Sequence, residues 1–432
     1  MKRIWCAQAW LGGDSLTPGV LVSVDDDGKI SALTHQGQPP ADVEALHGWI
    51  FPGFVNDHSH VFHRVLRGRT HAGRGSFWNW RDQMYAVAAV LGPTTYHALA
   101  RAVFAEMLEA GYTQVREFHY LHHGPNGLRY SDANEMSRAL MAAATESGIA
   151  MTLLDTLYLQ SAPGVMPDAV QMRFSDGDID TWISRIDELQ SAGLVDHGVA
   201  VHSVRAVPPD VIARVAAYAR DADCALHAHV SEQPLENAEC RQAYGRTPTQ
   251  VFADAGALDD RFTAVHATHL TARDIELLAQ SRVCMCPTTE AELADGIGPA
   301  AALRDAGVRL SIGTDSQAVI DPFAECRRLE WDQRLATGVR GQFTAAELAQ
   351  IGCGSALRVG MRADLVELDP QNNRLAGIGS ERLAGAVFAA TGSDVTSVYV
   401  AGRCVVHDGR HRDISTALEL TAAIQRIWAE IE

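Results

Sequence analysis

The chain has 432 residues, 47% of them hydrophobic and 21% charged, and 36 basic residues against 53 acidic ones leave a net charge of −17. Such a composition belongs to a folded globular protein, and the length calls for two domains or one large α/β barrel with an appendage, not a small module. The charge repels phosphate backbones and anionic membranes, so nucleic acid and membrane surfaces are excluded as expected partners.

Residues 1–50 read as short strands, with VLVSVDDDGKISAL forming a hairpin around Asp27-Gly28. The opening MKRIWCAQAWLGGD lacks the apolar core and cleavage site of a secretory signal, and no run reaches the roughly 18–20 apolar residues of a membrane span. A cytoplasmic location is expected. From Trp49 the rhythm changes to short apolar strands, each followed by a helical stretch. The strands are WIFPGFVND, YTQVREF, IAMTLLDTLY, GVAVHSV, CALHAHV, FTAVHAT, VCMCPTT and RLSIGTD. Between them lie amphipathic segments such as TYHALARAVFAEMLEAG, ANEMSRALMAAATESG and DVIARVAAYARDA.

Eight strand–helix units over about 300 residues predict a TIM (β/α)8 barrel. A doubly wound sheet would want a Gly-rich phosphate loop after its first strand, and none is present. Beyond the barrel, ADLVELD, AVFAA and VTSVYVAGRCVVHDGR return to β character, and TALELTAAIQRIWAEI ends the chain as an amphipathic helix. The expected organisation is a catalytic barrel over residues 51–355, with residues 1–50 and 356–432 forming a small composite β-sandwich domain that carries the final helix. Eight scattered cysteines contain no C-x-x-C pair, which speaks against a disulfide scaffold or a cysteine zinc site. The only lysines are Lys2 and Lys29, which removes P-loops, Schiff-base lysines and a carbamylated lysine bridging two metals.

In such a barrel the chemistry sits at the C-terminal ends of the strands. His58 and His60 follow the first strand in NDHSHVF, and a spacing of two puts both imidazoles on one face of an extended chain. His229 ends the fifth strand and Asp315 the eighth. A lone strand-end histidine is more often a hydrogen-bonded structural residue, but three imidazoles and a carboxylate on one barrel face suit a divalent ion. Zinc is the first expectation, one per chain, with iron(II) or another divalent ion able to take its place. Glu232, three residues after His229, and His266 at the end of the sixth strand are the expected proton-handling groups, with Asp315 accepting a proton from the attacking water. Their plainer alternatives are a helix cap for Glu232 and a core histidine for His266.

Arginines stand out against the acidic background. Arg64, Arg67, Arg69, Arg74 and Arg81 crowd the segment after the first strand, and Arg205 ends the fourth. Guanidinium forks grip carboxylates, so an anionic small-molecule substrate is expected, held by Arg205 and Arg81 with Tyr120 as a donor. For most of residues 64–74 a solvated basic loop is the preferred reading.

With PGFVNDHSH, HVSEQ, HATH and GTDS in that order, the chain resembles the amidohydrolase superfamily over essentially its whole length. The strings SFWNWRDQMY, EFHYLHH, HSVRAV, TEAELADGI and RRLEWDQRL are similar to the formimidoylglutamate deiminase family within it. The resemblance implies hydrolysis of N-formimino-L-glutamate to N-formyl-L-glutamate and ammonia. It implies one zinc on His58, His60, His229 and Asp315, Glu232 shuttling protons, and His266 orienting water and the tetrahedral intermediate. It also implies that Arg81, Tyr120, His202 and Arg205 hold the substrate, with His63 nearby where the family usually has Gln. Glu292 and Ala294 stand where Asn and Gly are usual, and Gln317 where His is common. A homodimer is the expected assembly. The nearest rival is a deaminase of a ring such as guanine or cytosine, which would want an apolar or amide-lined pocket. A non-catalytic relative would have lost Glu232 or a metal ligand, and none is lost.

Overall fold

Gly53 marks the point where the chain leaves one sheet for another. A Cβ there would come within 1.9 Å of Thr113 Oγ1, so only glycine lets the chain pass. The structure, a computed structural model, describes residues 2–71 and 77–432. Before Gly53 run β1 (Lys2–Ala9), β2 (Thr17–Val24), β3 (Ile30–His35) and β4 (Glu44–Pro52). After it come the barrel strands β5 (Phe54–Ser59), β6 (Tyr112–His119), β7 (Ala150–Leu157), β8 (Val195–Val201), β9 (Leu226–Val230), β10 (Phe262–His266), β11 (Arg282–Met285) and β12 (Arg309–Ile312). The last strands are β13 (Leu365–Leu368), β14 (Val395–Val400), β15 (Arg403–His407) and β16 (Arg410–His411).

Strands β5 to β12 pair in sequence order, all parallel, and a parallel bridge between Ser59 and Asp315 closes the ring. This is the expected eight-stranded barrel. The terminal segments form one mixed sheet in the order β16-β15-β14-β13-β4-β1-β2-β3, with β1 and β4 parallel. That sheet packs around a core containing Ile4, Val22, Ile50 and Leu365, and its β3 edge is tied to the segment before β13 by Ala363 N–H to Gly28 O and Ile30 N–H to Met361 O.

Three boundaries differ from the sequence reading. The run WIFPGFVND is two strands, because Trp49–Pro52 faces the mixed sheet and Phe54 onward faces the barrel, and both environments are apolar. AVFAA is helical, within Arg382–Ala389, where Leu383, Ala386 and Val387 are buried at helical spacing. VCMCPTT stops as a strand at Met285, and Pro287 opens a short helix, Pro287–Glu292.

The final helix, Thr416–Ile431, buries Leu420 and Ile427. Its Trp428 Nε1–H donates to Val65 O at 3.3 Å, and the Arg69 guanidinium lies 4.4 Å from the Trp428 ring. Among the described residues no helix is long and apolar enough to cross a membrane. None of the eight cysteines is paired.

Candidate active site

The ring of strands brings His58, His60, His229 and Asp315 together at its C-terminal mouth, all buried, with one ligand atom from each lying within 4.8 Å of the others. Closure of the barrel does this directly. Asp315 N–H donates to His58 O at 3.0 Å and His60 N–H donates to Asp315 O at 3.1 Å, so the first and last strands hold these ligands as one unit. The close approach needs Gly313, where a Cβ would meet His58 Cβ at 2.7 Å.

The tautomers follow from the partners. His60 Nδ1 lies 3.0 Å from Phe118 O and His229 Nδ1 lies 2.9 Å from His202 O, and a carbonyl only accepts. Each ring therefore carries its proton on Nδ1 and a lone pair on Nε2. Those two Nε2 atoms face each other at 3.3 Å, and His229 Nε2 is 3.2 Å from His58 Nε2. Asp315 Oδ1 lies 3.2 Å from His58 Nε2 and 3.4 Å from His60 Nε2. Burial, reinforced by the neighbouring imidazoles, holds His60 and His229 well below the ordinary histidine pKa, so protons do not fill the gap. Converging lone pairs and a carboxylate make the donor set of a divalent cation. Their separations are close to the roughly 3.3 Å between donors sharing one ion at about 2.0–2.1 Å.

His266 and Glu232 stand beside this cluster. His266 has φ 69°, and this left-handed backbone turns its ring so that Nε2 lies 3.9 Å from Asp315 Oδ2 and 3.8 Å from Glu232 Oε1. Its Nδ1 stands 3.4 Å from Glu290 Oε1. Burial opposes charge on this ring, yet the carboxylates of Glu232, Glu290 and Asp315 raise its pKa well above the ordinary value. Burial in turn raises Glu232, with His266 pulling it back. Asp315 is desolvated too, but hydrogen bonding to His58 and the surrounding imidazoles hold it below the usual carboxylate range. Glu232 is not a helix cap: the helix Pro234–Tyr244 begins after Gln233, and Glu232 N–H donates at 2.9 Å to Glu236 Oε2.

Beyond the cluster opens a chamber of about 90 Å³ that leads to an outer vestibule of about 510 Å³, the two sharing Arg81, His202, Arg205, His229 and Glu232. His63 is buried in its wall, Nε2 3.1 Å from the Tyr120 hydroxyl, and burial lowers its pKa to about 3. His202 packs its ring 4.9 Å from Tyr158 and 5.4 Å from Tyr120. Arg205 donates from Nη1 to Ser161 O at 2.9 Å and hydrogen-bonds the Tyr158 side chain, and no carboxylate among the described residues lies within ion-pair distance of it. The Arg81 guanidinium lies 5.6 Å from the Tyr85 ring. Every site residue expected from the sequence thus reaches one chamber or its ligand cluster.

The loop arginines need correction. Arg64 and Arg67 are not a solvated basic face: Arg64 Nε and Arg67 Nη1 each donate at 2.7 Å to Glu106, and Arg67 Nε donates at 2.8 Å to Gln317 O. Arg74 lies outside the described residues. Glu292 meets His71 at 2.5 Å, Gln317 bonds Ser59 and Thr314, and Ala294 has φ 59°, a conformation that favours glycine. Sequence reasoning passed over Tyr158, Glu236 and Glu290. Tyr158 was detectable as the polar residue ending IAMTLLDTLY, whereas Glu290 lies on a short helix after β11 that no periodicity announces.

Comparison with known proteins gives the same picture. The profile described as "Amidohydrolase family" matches residues 49–405. The chain is 37% identical to a formimidoylglutamate deiminase of Pseudomonas aeruginosa, over 95% of this chain and 96% of that one. It is 29% identical to a 5-methylthioadenosine/S-adenosylhomocysteine deaminase of Halobacterium salinarum, over 96% of each. The crystal structure of an amidohydrolase from Brucella melitensis superposes with a TM-score of 0.88 at 30% identity, covering 99% of this chain and all of that one.

Proposed function

The chain belongs to the amidohydrolase family, and from that premise we propose that this hydrolase of C–N bonds converts N-formimino-L-glutamate to N-formyl-L-glutamate and ammonia. The observation that carries the substrate choice is Arg205. A half-buried guanidinium that donates to Ser161 O, lies beside the Tyr158 hydroxyl and has no carboxylate at ion-pair distance among the described residues is suited to a substrate carboxylate. The 37% identity to a formimidoylglutamate deiminase supports the same reading.

His58, His60, His229 and Asp315 would hold one divalent ion, zinc in the first instance. When bound, such an ion supplies Lewis acidity and brings the pKa of water to about 7. The chain's own groups handle the rest. Asp315 receives a proton from the attacking water through Oδ2, the oxygen turned toward His266. The cationic His266 offsets charge on the oxygen as the formimino carbon becomes tetrahedral. Glu232, across from His266, carries a proton to the departing nitrogen. Water adds to the carbon, the bond to the terminal nitrogen breaks, and ammonia leaves with the formyl group still on glutamate. Tyr120, His202, Arg205 and Arg81 position the substrate, and His63 fixes the Tyr120 hydroxyl.

The aromatic wall of Tyr85, Tyr120, Tyr158 and Phe174 favours a second reading, in which a ring stacks in the chamber and is deaminated. Product analysis tests the proposal. Proton NMR of metal-loaded protein with N-formimino-L-glutamate should show N-formyl-L-glutamate accumulating with one equivalent of ammonia. Release of glutamate and formamide, meaning cleavage of the other C–N bond, or no turnover, would overturn it.

A further inference from the structure

The opposite mouth of the barrel holds a second cavity, of about 380 Å³, lined by side chains unlike the rest of this acidic protein. Arg282 and Arg309 open β11 and β12 and sit side by side in register. Arg116 reaches the same space from β6, and Gln114 and Ser311 add polar groups. The cavity lies at the opposite end of the strands from the metal ligands: Arg282 and Arg309 stand at the first residues of β11 and β12, whereas Asp315 follows the last residue of β12.

The charges there do not balance. Asp57 is buried, and its two oxygens are engaged by Arg116 and by the Ser311 hydroxyl. That leaves Arg282 and Arg309 without a carboxylate at ion-pair distance among the described residues; each makes only a long contact, 3.3 and 3.4 Å, to the same Asp260 carbonyl. Arg116 Nε is buried without a hydrogen-bond partner. Burial, then repulsion from Arg309 and Arg116, lowers the pKa of Arg282. The lining also holds Arg304 and Glu347, but Arg304 pairs with Asp305 at 2.7 Å and lies 4.0 Å from Glu347, so four guanidiniums face two carboxylates and the excess positive charge rests on Arg282 and Arg309. Side chains at this end of a barrel ordinarily serve stability, and like charges packed together do the reverse.

We propose that this lower cavity binds a small oxyanion carrying two negative charges, with Arg282 and Arg309 as its main ligands and Arg116 closing one side. Planar forks on adjacent strands present parallel N–H donors, the arrangement that takes phosphate or carboxylate oxygens bidentately. A tetrahedral phosphate and a flexible dicarboxylate share this chemistry, and the two are separated by experiment.

Isothermal titration of the metal-loaded protein with inorganic phosphate and, separately, with succinate should show saturable binding to one site per chain for at least one of them. The tighter anion identifies which oxyanion the site takes. Binding should weaken at least tenfold in the double variant Arg282→Met, Arg309→Met, while kcat/KM for ammonia release stays within twofold of the parent. Relief of repulsion should leave the Tm of that variant at or above the parent's. If it does not fold, Arg282→Lys with Arg309→Lys keeps the charge, loses the forks and should show the same weakening. Arg205→Met should leave the isotherm unaltered, which separates this cavity from the substrate chamber. The proposal is overturned if neither anion binds saturably, if the arginine variants bind as the parent does, or if Arg205→Met abolishes binding.

Discussion

Replacing Arg205 by Met keeps an unbranched apolar stem and removes the charge and the fork. In the structure this guanidinium projects from the segment after β8 into the shared part of the chamber and vestibule, anchored by Ser161 O at 2.9 Å. A substrate carboxylate placed there without it would be desolvated and unpaired, at a cost of roughly 2–5 kcal/mol. That corresponds to a loss of about 30-fold to about 5,000-fold in kcat/KM for N-formimino-L-glutamate. The stability cost should be small, under about 1 kcal/mol, because the freed Ser161 carbonyl is only partly buried and can turn to water. Metal content should be unchanged, since Arg205 is outside the donor set. Lysine at this position should recover part of the loss by restoring charge without bidentate geometry. The assay is continuous ammonia release under subsaturating substrate, with metal analysis and thermal melting of the same preparations. A loss under threefold, with folding and metal intact, would remove Arg205 from substrate binding and favour the ring-deaminase reading.

Metal analysis of active protein should return about one equivalent per chain, and chelation should abolish turnover and lower Tm; two ions both required for activity would contradict the site as drawn. Glu232→Gln should keep the metal and lower kcat by roughly 10² or more, and near-normal turnover would refute its proton-carrying role. Ala294→Gly should stabilise the protein by about 1 kcal/mol, because φ 59° costs alanine and not glycine; an unchanged or lower midpoint in denaturant would count against that strain. Asp155 and Asp176 are desolvated, yet both grip the Arg185 guanidinium, which holds their pKa values below the usual range. A depressed folded-state pKa gives stability that is present above about pH 4, the unfolded carboxylate value, and is lost as pH falls through the folded value. Asp155→Asn should therefore lower Tm markedly at pH 7 and progressively less below pH 4; a gap independent of pH would sink the argument.

The ligand cluster was legible because strand ends are local features. A short apolar run that stops at His, Glu or Asp reveals which residues face the barrel mouth, and His58, His60, His229, Glu232, His266 and Asp315 all obey that rule. Contacts decided by distant packing were not legible. Arg64 and Arg67 looked like a solvated loop because Glu106, their partner, lies about forty residues on along another helix. The split of WIFPGFVND at Gly53 was hidden because two cores of equal apolarity meet there, and only a close contact with Thr113 betrays the crossing. AVFAA is too short for its helical period to be told from a strand. The barrel-bottom arginines went unremarked because Arg116, Arg282 and Arg309 are far apart in sequence and only closure of the sheet assembles them.

The central claim is that a single-metal amidohydrolase chamber with a carboxylate-binding arginine selects a formimino amino acid over a ring. The most direct measurement is the ratio of kcat/KM for N-formimino-L-glutamate to that for 5′-methylthioadenosine, by ammonia release from one preparation of zinc-loaded protein. The account predicts a ratio above about 10³, the discrimination expected when a site built around a charged group meets a ligand that lacks its partner. A ratio near or below one would contradict it.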